Sequence, residues 1–147
     1  MLINKVQVFL DLDVNSKIDV LKFISEKARE FNITDSSEGV LKDFIKREEE
    51  YPTAIAPDFA IPHAKSQYVK EARLFFLRLN NAIEWGSPDK FKVKVIFGIF
   101  VPASEKGTRH IKILSSIATE LMDDKFKESI LNSKNEEEVL NLLYVEG

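Results

Sequence analysis

Val6, Val8 and Leu10 alternate with Gln7 and Phe9, and this period of two predicts a short strand over Lys5 to Asp13. The period then lengthens. Leu21, Ile24, Ala28 and Phe31 recur at steps of three and four, predicting an amphipathic helix over 17–31, and Ser16 stands three positions before Asp19 as its capping pair. A second helix is expected from Ser36 or Ser37, with Val40, Leu41, Phe44 and Ile45 as its buried stripe. It should stop at Tyr51-Pro52, because a residue before proline is pushed out of the α region. The stretch Thr53 to His63, broken by Pro57 and Pro62, reads as short extended pieces.

Two near-continuous apolar runs follow, Arg73 to Leu79 and Lys92 to Val101. Strands of that kind lie in sheets covered on both faces. Thr108 is expected to cap a third helix with Ile111, Leu114, Ala118 and Leu121 turned inward. Asp123-Asp124 should break it before a shorter helix bearing Phe126, Ile130 and Leu131, and Asn135 with Glu138 should cap a last one bearing Val139, Leu142 and Leu143. The expected architecture is α/β: a three-layer sandwich whose mixed central β-sheet is covered by helices on both faces.

Composition narrows the chemistry. The 147 residues suggest a single domain over 1–147, and 21 Lys and Arg against 24 Asp and Glu leave a net charge of −3, which gives no general attraction to nucleic acid. With no cysteine, thiolate nucleophiles, disulfides and Cys-type metal sites drop out. The longest apolar run, Val95 to Val101, is far short of the ~18 residues that span a bilayer, and the start of the chain lacks a signal peptide's apolar core, so a cytoplasmic protein without membrane insertion is expected. There is no glycine-rich phosphate loop around Gly98 or Gly107, no H-E-x-x-H zinc helix and no G-x-S-x-G elbow.

The candidates that remain are His63 and His110. His63 follows Pro62, whose fixed φ stiffens the chain, and precedes the small Ala64, so the imidazole is either presented outward for chemistry or is a polar residue at a strand–loop junction. His110 falls in the first turn of the third helix, where free N–H groups favour an anion; taken alone it reads first as a plain helix-start residue, beside a solvated Arg109. Lys46-Arg47-Glu48-Glu49-Glu50 closes the second helix. Its three glutamates read as a solvent face, whereas Arg47 would suit a phosphate or carboxylate if the reversal at Tyr51-Pro52 brings it to His63. Trp85, before Gly86, reads as a packing residue at a strand end. A metal-dependent hydrolase using His63, His110 and Asp58 is a weaker alternative, since no two-histidine helical pair supports it.

The segment Arg47 to Ala64 carries an acid, six spacers, an aliphatic, a small residue, then Ala-aliphatic-Pro-His-small: Glu48, Ile55, Ala56, Ala60, Ile61, Pro62, His63 and Ala64. It resembles the signature of the fructose/mannitol-type (type 2) enzyme IIA domain of the bacterial phosphoenolpyruvate-dependent sugar phosphotransferase system. Phe59, where an aliphatic is usual, and Pro57-Asp58, where a glycine-containing turn is common, depart from it. The resemblance continues through Phe97 to Val101, a polar loop, His110 and the helix to Met122.

This resemblance implies a phosphoprotein, a transferase component in sugar transport. His63 would take a phosphoryl group from the phosphocarrier protein HPr and pass it to an enzyme IIB domain working with a membrane enzyme IIC. The family's second active-site histidine corresponds to His110, and its phosphate-facing arginine to Arg47. No cofactor and no metal would be needed, as both donor and acceptor are protein side chains. The family also has a nitrogen-related regulatory branch, in which the phosphorylation state controls a partner protein. An apolar collar around the site is expected, and Phe59, Ile61 and Tyr68 are read either as contributors to it or as core residues.

Overall fold

The computed structural model describes residues 6–105 and 107–143, apart from the side chains of residues 109 and 110. Eleven elements follow one another as β1 (Val6–Leu12), α1 (Lys17–Glu30), α2 (Ser37–Glu50), β2 (Ala54–Ala56), β3 (Asp58–Ala60), β4 (His63–Ser66), β5 (Arg73–Glu84), β6 (Lys92–Pro102), α3 (Arg109–Glu120), α4 (Asp124–Asn132) and α5 (Glu136–Leu143). Six strands form one mixed sheet in the order β1-β5-β6-β3-β2, with β4 also paired to β6. β5 and β6 run antiparallel at its centre, while β1 lies parallel to β5.

Each sheet face is covered, giving the expected three layers. On one side Val20, Leu21, Ile24 and Ala28 of α1, with Val40 and Phe44 of α2, pack on Phe75, Leu77, Ile96 and Phe100. On the other, Ile113, Ile117 and Leu121 of α3, Phe126 and Ile130 of α4, and Val139 and Leu143 of α5 pack on Leu74, Phe76, Val95, Phe97 and Ile99. Successive side chains of a strand point to opposite faces, so a strand buried on both must be apolar throughout; this is the cause of the unbroken runs. α1 comes close to β6 at Gly98, where a Cβ would stand 3.2 Å from Ile24 Cδ1.

The helix starts are made by the expected chemistry. Ser16 Oγ accepts from the Asp19 amide at 3.2 Å, and Ser36 Oγ from the Gly39 amide at 3.0 Å. Tyr51 after α2 is extended, as the following proline requires. Asp123 caps α4, and Asn135 Oδ1 accepts from Glu138 N at 2.9 Å. Three expectations need correction. Thr108 occupies the N-cap position of α3 but makes no side-chain capping bond. The inward stripe of α3 is Ile113, Ile117 and Leu121, with Leu114 packed beside it, and Ile111 is 54% exposed. β5 does not stop at Leu79 but continues to Glu84, because Ile83 and Glu84 pair with Val93 and Lys92 of β6. Lys5, at the expected start of β1, lies outside the described residues.

The edge of the sheet that carries His63 is built from an interrupted strand. β3 pairs with the first half of β6 (Phe59 with Val95) and β4 with the second half (His63 with Ile99), both in parallel. Between them Pro62 has no amide hydrogen to contribute, but its carbonyl accepts from Ile99 N at 3.0 Å. β2 folds back on β3 through Pro57-Asp58, with Asp58 at φ 76°; proline followed by a left-handed residue is the composition of a type II turn.

Candidate functional site

His63 is the first residue of β4, so the ring sits where a strand begins rather than where one ends. It is half-buried. Its Nδ1 lies 2.8 Å from the carbonyl oxygen of Ile61. A carbonyl only accepts, so Nδ1 carries the proton in this contact. Arg47 Nε donates to the opposite ring nitrogen, Nε2, at 3.2 Å, and an imidazole nitrogen that accepts carries no proton. The two contacts agree on one neutral tautomer: Nδ1–H anchored to the backbone, Nε2 basic and facing a guanidinium.

Arg47 is held in turn. Its Nη1 donates to the Tyr51 carbonyl at 2.9 Å, one helical turn on, at the point where α2 gives way to the extended Tyr51-Pro52. The predicted meeting of Arg47 and His63 across that reversal is therefore present. Both line a cleft of about 310 Å³, together with Tyr51, Thr53, Ile55, Ile61 and Asp89. Tyr51 is 58% and Ile55 42% exposed, so an apolar rim stands next to the cationic group.

The expected collar is only partly realised. Ile61 lines the cleft, but Phe59 is buried in the core against α3 to α5, and Tyr68 packs over Gly39. His110 lies in the first turn of α3, and its side chain is outside the described residues. Asp58, the carboxylate of the metal-site alternative, sits in β3; among the described residues no group of three or more His, Asp and Glu is placed to hold a metal ion.

Glu48 corrects the sequence reading most sharply. Glu49 and Glu50 are exposed, as expected of a solvent face, whereas Glu48 is only 5% exposed. Its carboxylate receives Lys17 Nζ at 2.8 Å, Trp85 Nε1 at 2.9 Å, Thr53 N at 3.1 Å and the Thr53 hydroxyl. A buried carboxylate survives because donors replace its water, and here they come from α1, from the segment after β5 and from the turn after α2. The signal was in the pattern: Glu48 falls four residues after Phe44 and three after Ile45, on the buried stripe of α2. Trp85 is buried as expected, and its indole N–H also has a partner in that carboxylate.

With this geometry in view, comparison with known proteins is decisive. The model of the family described as "Phosphoenolpyruvate-dependent sugar phosphotransferase system, EIIA 2" matches residues 1–145. The chain belongs to that family. It is 27% identical over 139 residues to the 2-O-alpha-mannosyl-D-glycerate-specific EIIABC component of Escherichia coli K12, a match covering 94% of this chain and 21% of that protein. The chain spans about a fifth or less of the length of the first curated relatives it matches. Among solved structures, the nitrogen regulatory protein IIA-Ntr of Neisseria meningitidis superimposes with a TM-score of 0.86 at 27% identity, covering 94% of this chain and 93% of that one. The complex of enzyme IIAMTL and phosphorylated enzyme IIBMTL from Escherichia coli gives a TM-score of 0.78 at 21% identity, covering 93% of each chain, and shares the fold. Membership makes the chain an EIIA-type component of the phosphoenolpyruvate-dependent sugar phosphotransferase-system family.

Proposed function

We propose that the chain, as one enzyme IIA type-2 domain over 1–147, is a cytoplasmic phosphocarrier that receives a phosphoryl group from phospho-HPr on Nε2 of His63 and delivers it to an enzyme IIB domain serving a membrane enzyme IIC. One observation carries this reading: Nδ1 is tied to the Ile61 carbonyl, leaving Nε2 unprotonated in an open cleft beside Arg47.

The Nε2 lone pair attacks phosphorus in line with the donor's P–N bond. A new N–P bond forms as that bond breaks, and its electron pair returns to the donor imidazole. Neither ring has to gain or lose a proton, because His63 keeps its own on Nδ1. Arg47 Nε gives up its contact with Nε2 as phosphorus arrives and turns to the phosphoryl oxygens. Phosphoryl transfer asks the protein for little covalent work, so placement of the ring and neutralisation of the oxygens dominate. His110, at the start of α3, is assigned the family role of a further donor to the phosphoryl group. The exposed Tyr51 and Ile55 give visiting proteins apolar area beside the ring.

Incubation with phosphoenolpyruvate, enzyme I and HPr should give an acid-labile, base-stable adduct, and His63→Ala should abolish it. A His63→Ala protein that still becomes labelled refutes the assignment. The likeness to the nitrogen regulatory protein favours a second reading, in which the same phosphorylation controls a partner protein. Chase of the label into cognate IIB domains separates the two: transfer supports transport, and retention of the label with every IIB supports regulation.

A further inference from the structure

Resting on the reading of His63 as phosphoryl acceptor, we infer that Glu48 is a positioning residue for the transfer, acting through Thr53 and Ile61 to fix the tautomer and aim of the His63 ring.

The connection is continuous in the structure. The Glu48 carboxylate takes both the amide and the hydroxyl of Thr53. The carbonyl of the same Thr53 accepts from Ile61 N at 3.0 Å. The Ile61 carbonyl then accepts from His63 Nδ1 at 2.8 Å. On the far side, the Pro62 carbonyl is fixed by Ile99 N, so the Ile61-Pro62 unit is pinned at both ends and its one remaining carbonyl is turned to the imidazole. Thr53 also closes the turn at whose start the Tyr51 carbonyl receives Arg47 Nη1. One buried carboxylate therefore organises the segment from which the nucleophile's proton and the cation's second arm are both held.

The path from Glu48 to the ring runs through the Thr53 and Ile61 backbone, so its effect passes through geometry. Lys17 and Trp85 meet the same carboxylate oxygen, Oε1, that takes the Thr53 amide, and among the described residues Glu48 is the single buried acid. A core position on α2 filled by an aliphatic side chain would satisfy packing. Only an acceptor with several lone pairs can take both Thr53 donors along with Lys17 and Trp85.

The test uses the whole chain with Glu48→Gln, and with Thr53→Val, which keeps the Thr53 amide bond and deletes only the hydroxyl. The first readout is long-range ¹H–¹⁵N NMR of the His63 ring, which reports the tautomer without any phosphoryl transfer. The second is the rate of phosphorylation by phospho-HPr, resolved into kcat and KM. The expected result is a folded protein whose Nδ1–H tautomer loses its dominance, with kcat down roughly tenfold, the lower end of what loss of an outer partner of a metal-binding histidine costs, and KM unchanged. If Glu48→Gln does not fold, Thr53→Val decides. Folded variants with the parent ring spectrum and parent kcat overturn the inference. If the parent protein accepts no phosphoryl group at all, the phosphocarrier reading fails by itself, and the ring spectrum still decides whether Glu48 positions His63.

Discussion

At the scale of single residues, the site pairs the proposed nucleophile, the His63 ring, with a cation that is restrained but not buried. Arg47 is half-buried and spans two acceptors, His63 Nε2 and the Tyr51 carbonyl. Its removal leaves the core untouched, so Arg47→Ala should cost only about 1 kcal/mol of stability, its two solvent-accessible hydrogen bonds each lying at the low end of the usual net worth. Charge stabilisation is another matter, since deleting one donor aimed at a developing anion commonly slows a reaction about 100-fold or more. The expected outcome is a protein with nearly the parent Tm and phosphorylation by phospho-HPr slowed by about two orders of magnitude. Stopped-flow or quench-flow labelling beside a thermal melt checks it, and unchanged labelling kinetics would remove Arg47 from the site. The local frame of this residue was legible in the sequence, because Tyr51-Pro52 had to end α2 and turn the chain back. Glu48 was less legible, since three consecutive glutamates look alike until the helical phase is compared with the stripe at Phe44 and Ile45.

At the scale of elements, helix starts were readable where a short polar side chain could do only one thing. Ser16, Ser36 and Asp123 each cap the helix they precede. The inward face of α3 was not, for a physical reason. Ile111, Ile113, Leu114, Ile117, Ala118 and Leu121 cover about half the helix circumference, so two stripes fit the period and only the sheet beneath selects one. The selected stripe makes a clear prediction. Ile113→Ala should destabilise by about 2–4 kcal/mol, as expected for truncating a buried isoleucine, while Ile111→Ala should stay within about 0.5 kcal/mol. Chemical denaturation of both variants checks the assignment, and the opposite ranking would restore Ile111 as the core residue. The end of β5 was hidden by Asn80 and Asn81, which interrupt the apolar run; its continuation depends on pairing with β6, a partner too far along the chain for local pattern to reveal.

At the scale of the whole molecule, the sheet does two jobs. Its centre, β5 and β6, is buried from both sides and sets the rigid frame. Its edge, broken at Ile61-Pro62, exposes a ring at the point where one strand stops and another starts along β6. On the proposed function, a phosphoryl group would add a charge of about −1.5 to −2 by analogy with other phosphorylated side chains, next to a guanidinium and a small apolar rim, so that loaded and unloaded forms would present different surfaces. The central claim, that Nε2 of His63 is the atom that carries the phosphoryl group, is tested most directly by phosphorylating protein labelled with ¹⁵N-histidine and reading the ³¹P–¹⁵N coupling. The expected product has one phosphorylated histidine, His63, with phosphorus bonded to Nε2 and the proton retained on Nδ1; phosphorus on Nδ1, or on any other residue, would rule this assignment out.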